Sequence, residues 1–425
     1  MLHGEMADIS QSIPGRQVRL NQLILGKSGG TSLNLQQVSR DSLLDALCAL
    51  YDELNKESLR KDNKLISSFV DKYRGTLAEL RQMRVNIKDF EMKKIIGQGH
   101  FGEVRVVREK SSGDVFAMKV LHKNETLSQS NAAFFAEERD IMANAASPWL
   151  TKLHHAFQDM QHLYLVMEFH PGGDLLALLE KHRDSILPPE TAHFYLAELV
   201  EAIHSLHSMG YVHRDIKPDN ILIDRIGHVK LADFGSASKL NAQKMVTSRM
   251  PVGTPDYIAP EVLIAMNSVP AATASYGVEC DWWSLGIVAY EMFYGQMPFS
   301  DDRVVVTYNN IMNFKTSLHF PEEPSYPKET ISLMKNLLCE ATVRADHQAL
   351  YQHPYFAGVD WPALRNKVPP YVPILKGEDD TSYFDEFEPE PSSPTLEIPK
   401  KEFSGKQLPF IGFTFSHPVD TPATR

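Results

Sequence analysis

The sequence predicts an α+β fold over residues 90–356, with a helical extension before it and an extended tail after it. Three observations carry that expectation. Strand-like and helix-like segments alternate through the central stretch, two stretches ahead of it repeat apolar residues at helical spacing, and beyond residue 356 the chain turns rich in Pro, acids and isolated aromatics.

At 425 residues and 43% hydrophobic content, the chain has ample material for a large core. Its three cysteines, Cys48, Cys280 and Cys339, lie far apart and form no C-x-x-C pair, which argues against a disulfide framework or a zinc site. There is no run of about 18 apolar residues and no continuous apolar stretch near the N-terminus. Membrane spanning and secretion are therefore not expected, and a cytoplasmic location is. The net charge is −11, and residues 378–390 alone hold seven acids and no base. Nucleic acid is not an expected partner, because phosphate backbones require a basic face.

Residues 1–38, rich in Ser, Gly and Gln without a sustained period, are expected to be disordered. From Ser42, "SLLDALCALYDEL" sets Leu43, Leu44, Leu47, Leu50, Tyr51 and Leu54 at helical spacing, and "LISSFVDKYRGTLAELRQM" repeats the pattern with Leu65, Phe69, Tyr73, Leu77 and Leu80. Two amphipathic helices thus occupy a segment of residues 39–85. No internal repeat or long heptad run follows.

The stretch "IIGQGHFGEVRVV" places Gly97, Gly99 and Gly102 as G-x-G-x-x-G. A dinucleotide-binding loop shares these glycines but opens a helix, whereas Val104 and Val106 alternate here with Glu103 and Arg105 in the period of a strand. The glycines are then expected to tip a hairpin whose amides cover phosphates. The next run, "DVFAMKVL", reads as a strand ending near Lys119, where a lysine among apolar residues needs a carboxylate partner. "FFAEERDIM" offers Glu137 and Glu138, which point about 100° apart on a helix, so only one can face the strand. Read alone, both are surface acids.

"YVHRDIKPDNILID", residues 211–224, crowds His213, Arg214, Asp215, Lys217, Asp219 and Asn220 between apolar residues. Buried charges are costly without partners, so this is either a surface turn or a site. Asp233, Phe234 and Gly235 follow in "LADFGSA", and Ala259, Pro260 and Glu261 in "GTPDYIAPE". H-R-D-x-x-x-x-N, D-F-G and A-P-E in this order, after the glycine loop and the strand lysine, resemble the eukaryotic protein kinases. The resemblance covers residues 90–356, including "CDWWSLGIVAYEM" and Arg344, which resembles the arginine that pairs with the A-P-E glutamate.

That resemblance implies a bilobal fold, with a β-rich small lobe and a helical large lobe, and transfer of the ATP γ-phosphate to Ser or Thr. It implies that Lys119 binds phosphates and pairs with Glu138, that Asp233 and Asn220 hold Mg2+, and that Asp215 accepts the substrate proton beside Lys217. Ile96, Gly97, Gly99, Gly102, Val104 and Ala117 would line the nucleotide. Met167 would guard the adenine pocket, and Glu168 to His170 would form the hinge. Asp174 and Asp219 match acids that hold substrate arginines, with Thr254 beside the acceptor; read alone, these acids cap their loops.

The flanks narrow the group. "LPFIGFTFS" resembles the hydrophobic motif of AGC kinases, with Thr414 as its regulatory position and a basic or amide partner expected for a phosphate there. "DDTSYFDEF" resembles their acidic tail segment, in which Phe384 lies against the nucleotide; the usual Asn before it is Tyr383 here. With the paired N-terminal helices, the chain is identified as a member of the myotonic dystrophy, Rho-associated and citron kinase group. "DFGSASKLNAQKMV" and "NNIMNF" look closest to the citron type. Membership implies homodimerisation through the helices, basic protein substrates of the myosin light chain kind, and an association with the cytoskeleton. Four residues before Thr254, where many AGC kinases carry a phosphorylated threonine, stands Met250. Activity without a phosphate on that loop is therefore expected.

Overall fold

Ser39 and Asn63 set where the N-terminal helices begin. In the computed structural model, which describes residues 39–99, 102–128, 134–250, 252–268, 275–387 and 405–416, Ser39 caps helix α1 (Arg40–Leu54) by accepting from the Ser42 amide at 3.1 Å. A short α2 (Glu57–Asp62) follows, and Asn63 caps α3 (Lys64–Met83) by accepting from the Leu65 and Ile66 amides. The expectation for residues 1–38 lies outside the described residues. Tyr51, Val70 and Leu77 bury together between α1 and α3, and Arg81 reaches Asp52 at 2.6 Å. The apolar stripe of α1 is only partly used: Leu43 and Leu50 are exposed, whereas Ser42 and Asp45 are buried.

The small lobe is a six-stranded antiparallel sheet in the order β1-β2-β3-β5-β4-β12. Its strands are β1 (Phe90–Gly99), β2 (Gly102–Glu109), β3 (Val115–His122), β4 (Leu153–Gln158), β5 (His162–Glu168) and β12 (Phe415–Ser416). Phe90, Val107, Phe116, Met118, Val120, Phe157, Tyr164 and Val166 form a core on one face. Gly99 pairs with Gly102, so the glycines tip the β1–β2 hairpin. At Gly102, φ is +148° and an added Cβ would stand 1.8 Å from the Val120 carbonyl oxygen, so only glycine fits. Between β3 and β4 come α4 (Lys123–Ser128) and α5 (Phe134–Asn144). Lys119 lies within β3 rather than at its end, paired with Val104 on one side and Leu165 on the other.

The large lobe is helical, with α6 (Leu175–Glu180), α7 (Pro189–Ser208), α8 (Pro260–Met266) and α9 (Glu279–Tyr294). Short strand pairs lie between them: β6 (Tyr211–Val212) with β9 (Ser238–Lys239), β7 (Ile221–Ile223) with β8 (Val229–Leu231), and β10 (Val246–Thr247) with β11 (Ser275–Tyr276). Helix α9 is buried on all sides from Cys280 to Tyr294, as expected for the nearly unbroken apolar run "CDWWSLGIVAYEM". Arg344 donates to both carboxylate oxygens of Glu261, so the expected pair is formed. Residues 357–387 run along the surface, tied by Arg365 to Asp224 and by Asp379 to Arg108.

Candidate active site

The one acid within the apolar run of α9 before Glu291 explains how a charged loop can sit in the core. Asp281, fully buried, accepts from the backbone amides of His213 and Arg214, each at 2.8 Å, and from His207 Nε2 at 2.8 Å. Burial opposes its charge, and these donors outweigh burial and hold its carboxyl below the usual range. Arg214 takes φ +69°, a conformation that L-residues avoid unless their surroundings impose it. The loop is therefore braced from behind, and Asp215 is turned forward. Its Oδ1 accepts from the Thr254 amide at 2.9 Å and hydroxyl at 2.8 Å, its Oδ2 accepts from Asn220 Nδ2 at 3.2 Å, and Lys217 Nζ stands 3.8 Å away.

Across the cleft, Lys119 Nζ donates to Glu138 Oε1 at 2.7 Å and to Asp233 Oδ1 at 2.8 Å. Burial alone would lower the lysine, but the charges of Asp233 and Glu138 overcome it and raise its pKa. The Lys119 charge in turn depresses Asp233 to about 2. Glu138 is thus the partner of the strand lysine. Its neighbour Glu137 turns toward the backbone of Lys239 in β9 and the charge of Arg214. Asn220 commits its Nδ2 to Asp215, leaving its carbonyl oxygen as an acceptor, and the Asp233 carboxylate supplies further oxygens. That is a hard-oxygen donor set suited to a small divalent cation. Among the described residues no three His, Cys, Asp or Glu side chains form a cluster, so a cation here would draw most of its ligands from phosphate oxygens and water.

The remaining expected residues lie in β1 to β3, at the end of β5 and just after it, at the start of α6, in the loop after Asp215 and in the tail. Ile96 sits at an irregularity of β1 just before Gly97, which pairs with Val104, and Ala117 pairs with Met167. Glu168 is bonded to Lys230 at 2.9 Å, and the His170 ring is buried against Thr151 at 3.1 Å. Burial pushes His170 down to about 4, so its side chain is neutral. Phe384 stacks on Phe169 of the hinge with centroids 5.9 Å apart. Asp219 is exposed, whereas Asp174 caps α6 by accepting from the Ala177 amide at 2.8 Å. Burial, then the nearby Asp219, Asp385 and Glu180 against that amide, raise Asp174 to about 6.

Arg214 and Tyr276 tie the segment between Asp233 and Glu261. Arg214 Nε donates to the Ser236 carbonyl at 2.6 Å, and its Nη1 donates to the Tyr276 hydroxyl at 3.1 Å. Tyr276 lies in β11, paired with Val246 of β10 inside that segment. Sequence reasoning left Tyr276 and Asp281 without roles. The signal for Asp281 was an acid in an all-apolar helix; a lone tyrosine carried none.

The tail reaches α5 from outside. Phe410 and Phe413 are fully buried and pack on Phe135 with centroids 5.3 and 5.9 Å apart, and Phe415 pairs with Ala156 as the sixth strand. Lys123, also buried, donates to Gln158, to the Asp159 carbonyl and to Gln407. The surroundings of Thr414 include a group the sequence did not announce. Its neighbour is an acid: the hydroxyl donates to Asp45 Oδ1 at 2.7 Å, because helix α1 turns its buried polar side toward the tail.

Comparison with known families matches residues 90–356 to the protein kinase domain and 375–415 to the protein kinase C terminal domain. Over 413 residues, 96% of this chain, it is 49% identical to citron Rho-interacting kinase of Homo sapiens, covering 20% of that protein. It is 46% identical to serine/threonine-protein kinase MRCK gamma of Homo sapiens over 95% of this chain and 26% of that protein, and 43% identical to serine/threonine-protein kinase mrck-1 of Caenorhabditis elegans. The chain therefore spans about a fifth to a quarter of these relatives' length. An ion-paired strand lysine, a D-F-G aspartate beside it, a braced H-R-D loop and a docked C-terminal motif agree with these matches: the chain belongs to the protein kinase family.

Proposed function

We propose that the chain transfers the γ-phosphoryl of MgATP to Ser or Thr in proteins with basic residues upstream of the acceptor. What supports this most is the Lys119–Glu138 pair at 2.7 Å, with Asp233 on the same ammonium and Asp215 held facing the cleft. Asp233 and Asn220 would hold Mg2+, which when bound neutralises charge on the phosphates. Asp215 orients the acceptor hydroxyl and takes its proton, Thr254 keeps that carboxylate in place, and Lys217 offsets charge building on the transferred group. Asp174 and Asp219 would face arginines of the substrate. The test is incorporation of labelled γ-phosphate into a peptide library, with Asp233→Ala as control. Phosphoserine and phosphothreonine with upstream Arg or Lys are expected; phosphotyrosine, or labelling that survives in the control, would overturn the reading. A catalytically silent scaffold is the competing class, and it would show no incorporation at all.

Regulation follows from the flanks. The tail activates in cis by packing Phe410 and Phe413 on the helix that carries Glu138, so truncation after residue 400 lowers activity strongly. The segment ending at Glu261 works without phosphate, because Met250 stands in the usual register and Tyr276 already engages Arg214. Exposed Leu43, Leu50, Leu65 and Met83 on α1 and α3 favour a homodimer through these helices. Light scattering of the full chain at micromolar concentration tests this, and an active monomer would refute it. No described helix is long and apolar enough to cross a membrane. A cytoplasmic, cytoskeleton-associated role on substrates such as myosin light chain rests on likeness to the citron and MRCK kinases.

A further inference from the structure

Tyr383, which replaces the asparagine expected before Phe384, is held at its ring, its hydroxyl and its backbone. The ring faces the ammonium of Lys181, the residue that ends α6, with Nζ 4.0 Å from the ring centroid. The same Nζ lies 6.0 Å from the ring of Tyr371, so one cation of the large lobe serves two tyrosines of the tail. The Tyr383 hydroxyl accepts from the Ile374 amide at 2.9 Å, closing the loop between them. Asp380 tightens that loop by accepting from the Lys376 amide at 2.7 Å and the Ser382 amide at 2.9 Å. The backbone of Tyr383 passes directly over Gly173, where φ is +80° and an added Cβ would stand 2.9 Å from the Tyr383 carbonyl oxygen. Any side chain at 173 would push the tail off the hinge. We infer that Tyr383, held by Lys181, is a positioning residue for the nucleotide: it fixes Phe384 beside the hinge and through it sets the affinity for ATP.

The contacts on either side of Phe384 show which of them can hold it. Downstream, Asp385 and Glu386 are exposed, and Glu386 meets Lys94 only at 3.8 Å. Upstream, Asp379 pairs with Arg108 of β2 at 3.0 Å, a partly exposed ion pair of a kind that contributes little. The ring of Phe384 on Phe169 is therefore placed from its N-terminal neighbour, whose own ring, hydroxyl and carbonyl are each against the large lobe or the loop. Lys181 is exposed, and a cation over a tyrosine face at such a site corresponds to about two- to fivefold in an equilibrium. The attraction depends on charge, so arginine keeps it and methionine, of similar length, removes it. The inference rests on the reading that ATP binds in the cleft beside the hinge.

The test uses the full chain and measures Kd for a fluorescent ATP analogue with Mg2+, kcat for phosphoryl transfer, and hydrogen exchange of residues 374–387. Tyr383→Leu is expected to raise Kd about tenfold. Lys181→Met is expected to raise it about two- to fivefold, and Lys181→Arg to stay within about twofold of the parent. Because both changes break one contact, adding Lys181→Met to Tyr383→Leu is expected to move Kd by less than about 1.5-fold more. At saturating ATP, kcat is expected to stay within about twofold throughout, since the groups that act on the transferred phosphoryl are untouched. An unchanged Kd in Tyr383→Leu, effects that multiply in the double variant, or a Lys181→Arg chain as weak as Lys181→Met would each overturn the inference. Faster exchange of 374–387 with Kd unmoved would overturn it too, leaving Tyr383 a role in the tail's structure alone. The expected pattern of Kd in a chain that transfers no phosphate would uphold the inference and remove the transfer reading instead.

Discussion

In the cleft, Asp215, Lys217 and Asn220 lie within six positions of one loop, and Asp233 follows shortly after. At the tail junction, Asp45 and Thr414 meet across 369 positions. Both places gather buried charge, yet they do so for different reasons. The cleft holds Asp215 and Asp233 forward and at least partly open, each beside a cation or amide. The junction closes its acid completely, so its donors are used up in holding structure. The cleft keeps charged groups open to a ligand, and the junction uses its acid to join helix, lobe and tail.

Three substitutions and a pH dependence break or sharpen that contrast. The largest effect is expected from Asp215→Asn, which removes the proton acceptor while keeping the Thr254 contacts' shape. A fall in kcat of about 10²–10⁴-fold is expected, with KM for ATP changed little. Steady-state kinetics that instead showed a raised KM and unchanged kcat would move the role of Asp215 from transfer to binding.

Phe410→Ala empties a fully buried site at the junction. A cost of about 3–5 kcal/mol is expected, borne locally by the tail, because its other large anchor is Phe413. Hydrogen exchange of 405–416 is expected to approach that of an unprotected segment, and phosphoryl transfer to fall at least about tenfold as α5 loosens. A tail that stays protected would place its anchorage in β12 instead.

Tyr276→Phe removes one hydrogen bond to a charged guanidinium, of the kind worth about 1.5–3 kcal/mol. A drop in kcat of about tenfold is expected, and Met250→Glu in the same chain is expected to recover part of it by offering Arg214 an anion. No recovery would mean that Tyr276 acts only through packing.

The smallest effect concerns pH. Asp174 is raised from 3.8 to about 6, so it loses its charge as pH falls through 6. KM for a peptide with upstream arginine is expected to rise a few-fold below that pH, while a peptide lacking the arginine is indifferent. The sign for stability is opposite to the usual carboxylate: with the folded value above the unfolded one, Asp174 favours folding at low pH, and that contribution is lost as pH rises from 3.8 to about 6. Equal KM profiles for the two peptides would leave Asp174 as the cap of α6 alone.

How much could be read beforehand follows the same division. The glycine hairpin, Lys119, Asp215 and Asp233 were legible because phosphate chemistry dictates residue types in a set order, Glu138 only through the kinase resemblance, and the period of β2 separated a hairpin from a helix. The helices at 40–54 and 64–83 were legible from their apolar period, but their contacts were not. Periodicity pointed to Leu43, Leu44, Leu47, Leu50, Tyr51 and Leu54 as the apolar stripe of α1; Tyr51 is buried as expected, but Ser42, Asp45 and Glu53 are buried with it, and Leu43 and Leu50 stay exposed. A polar residue becomes a core residue only through its partner, and the partners of Asp45 lie at the far end of the chain. Basic residues were expected near Thr414, and Arg81, Arg84 and Lys123 line a cavity beside it, but its own neighbours in sequence are aromatic and say nothing of the acid. Tyr276 gave no signal, since its role depends on a pairing of β10 with β11 that only two residues on each side define.

The junction bears on the cleft through one helix, α5, which carries Phe135 on the tail side and Glu138 on the cleft side. The most direct measurement is hydrogen exchange across residues 134–144 in the full chain and in the chain lacking residues 1–85, taken beside phosphoryl transfer on the same samples. Without α1 and its Asp45, exchange in α5 is expected to rise by about tenfold or more and transfer to fall with it. Unchanged exchange in α5 together with undiminished transfer would contradict the claim that the N-terminal helix and the tail hold the Lys119–Glu138 pair in place.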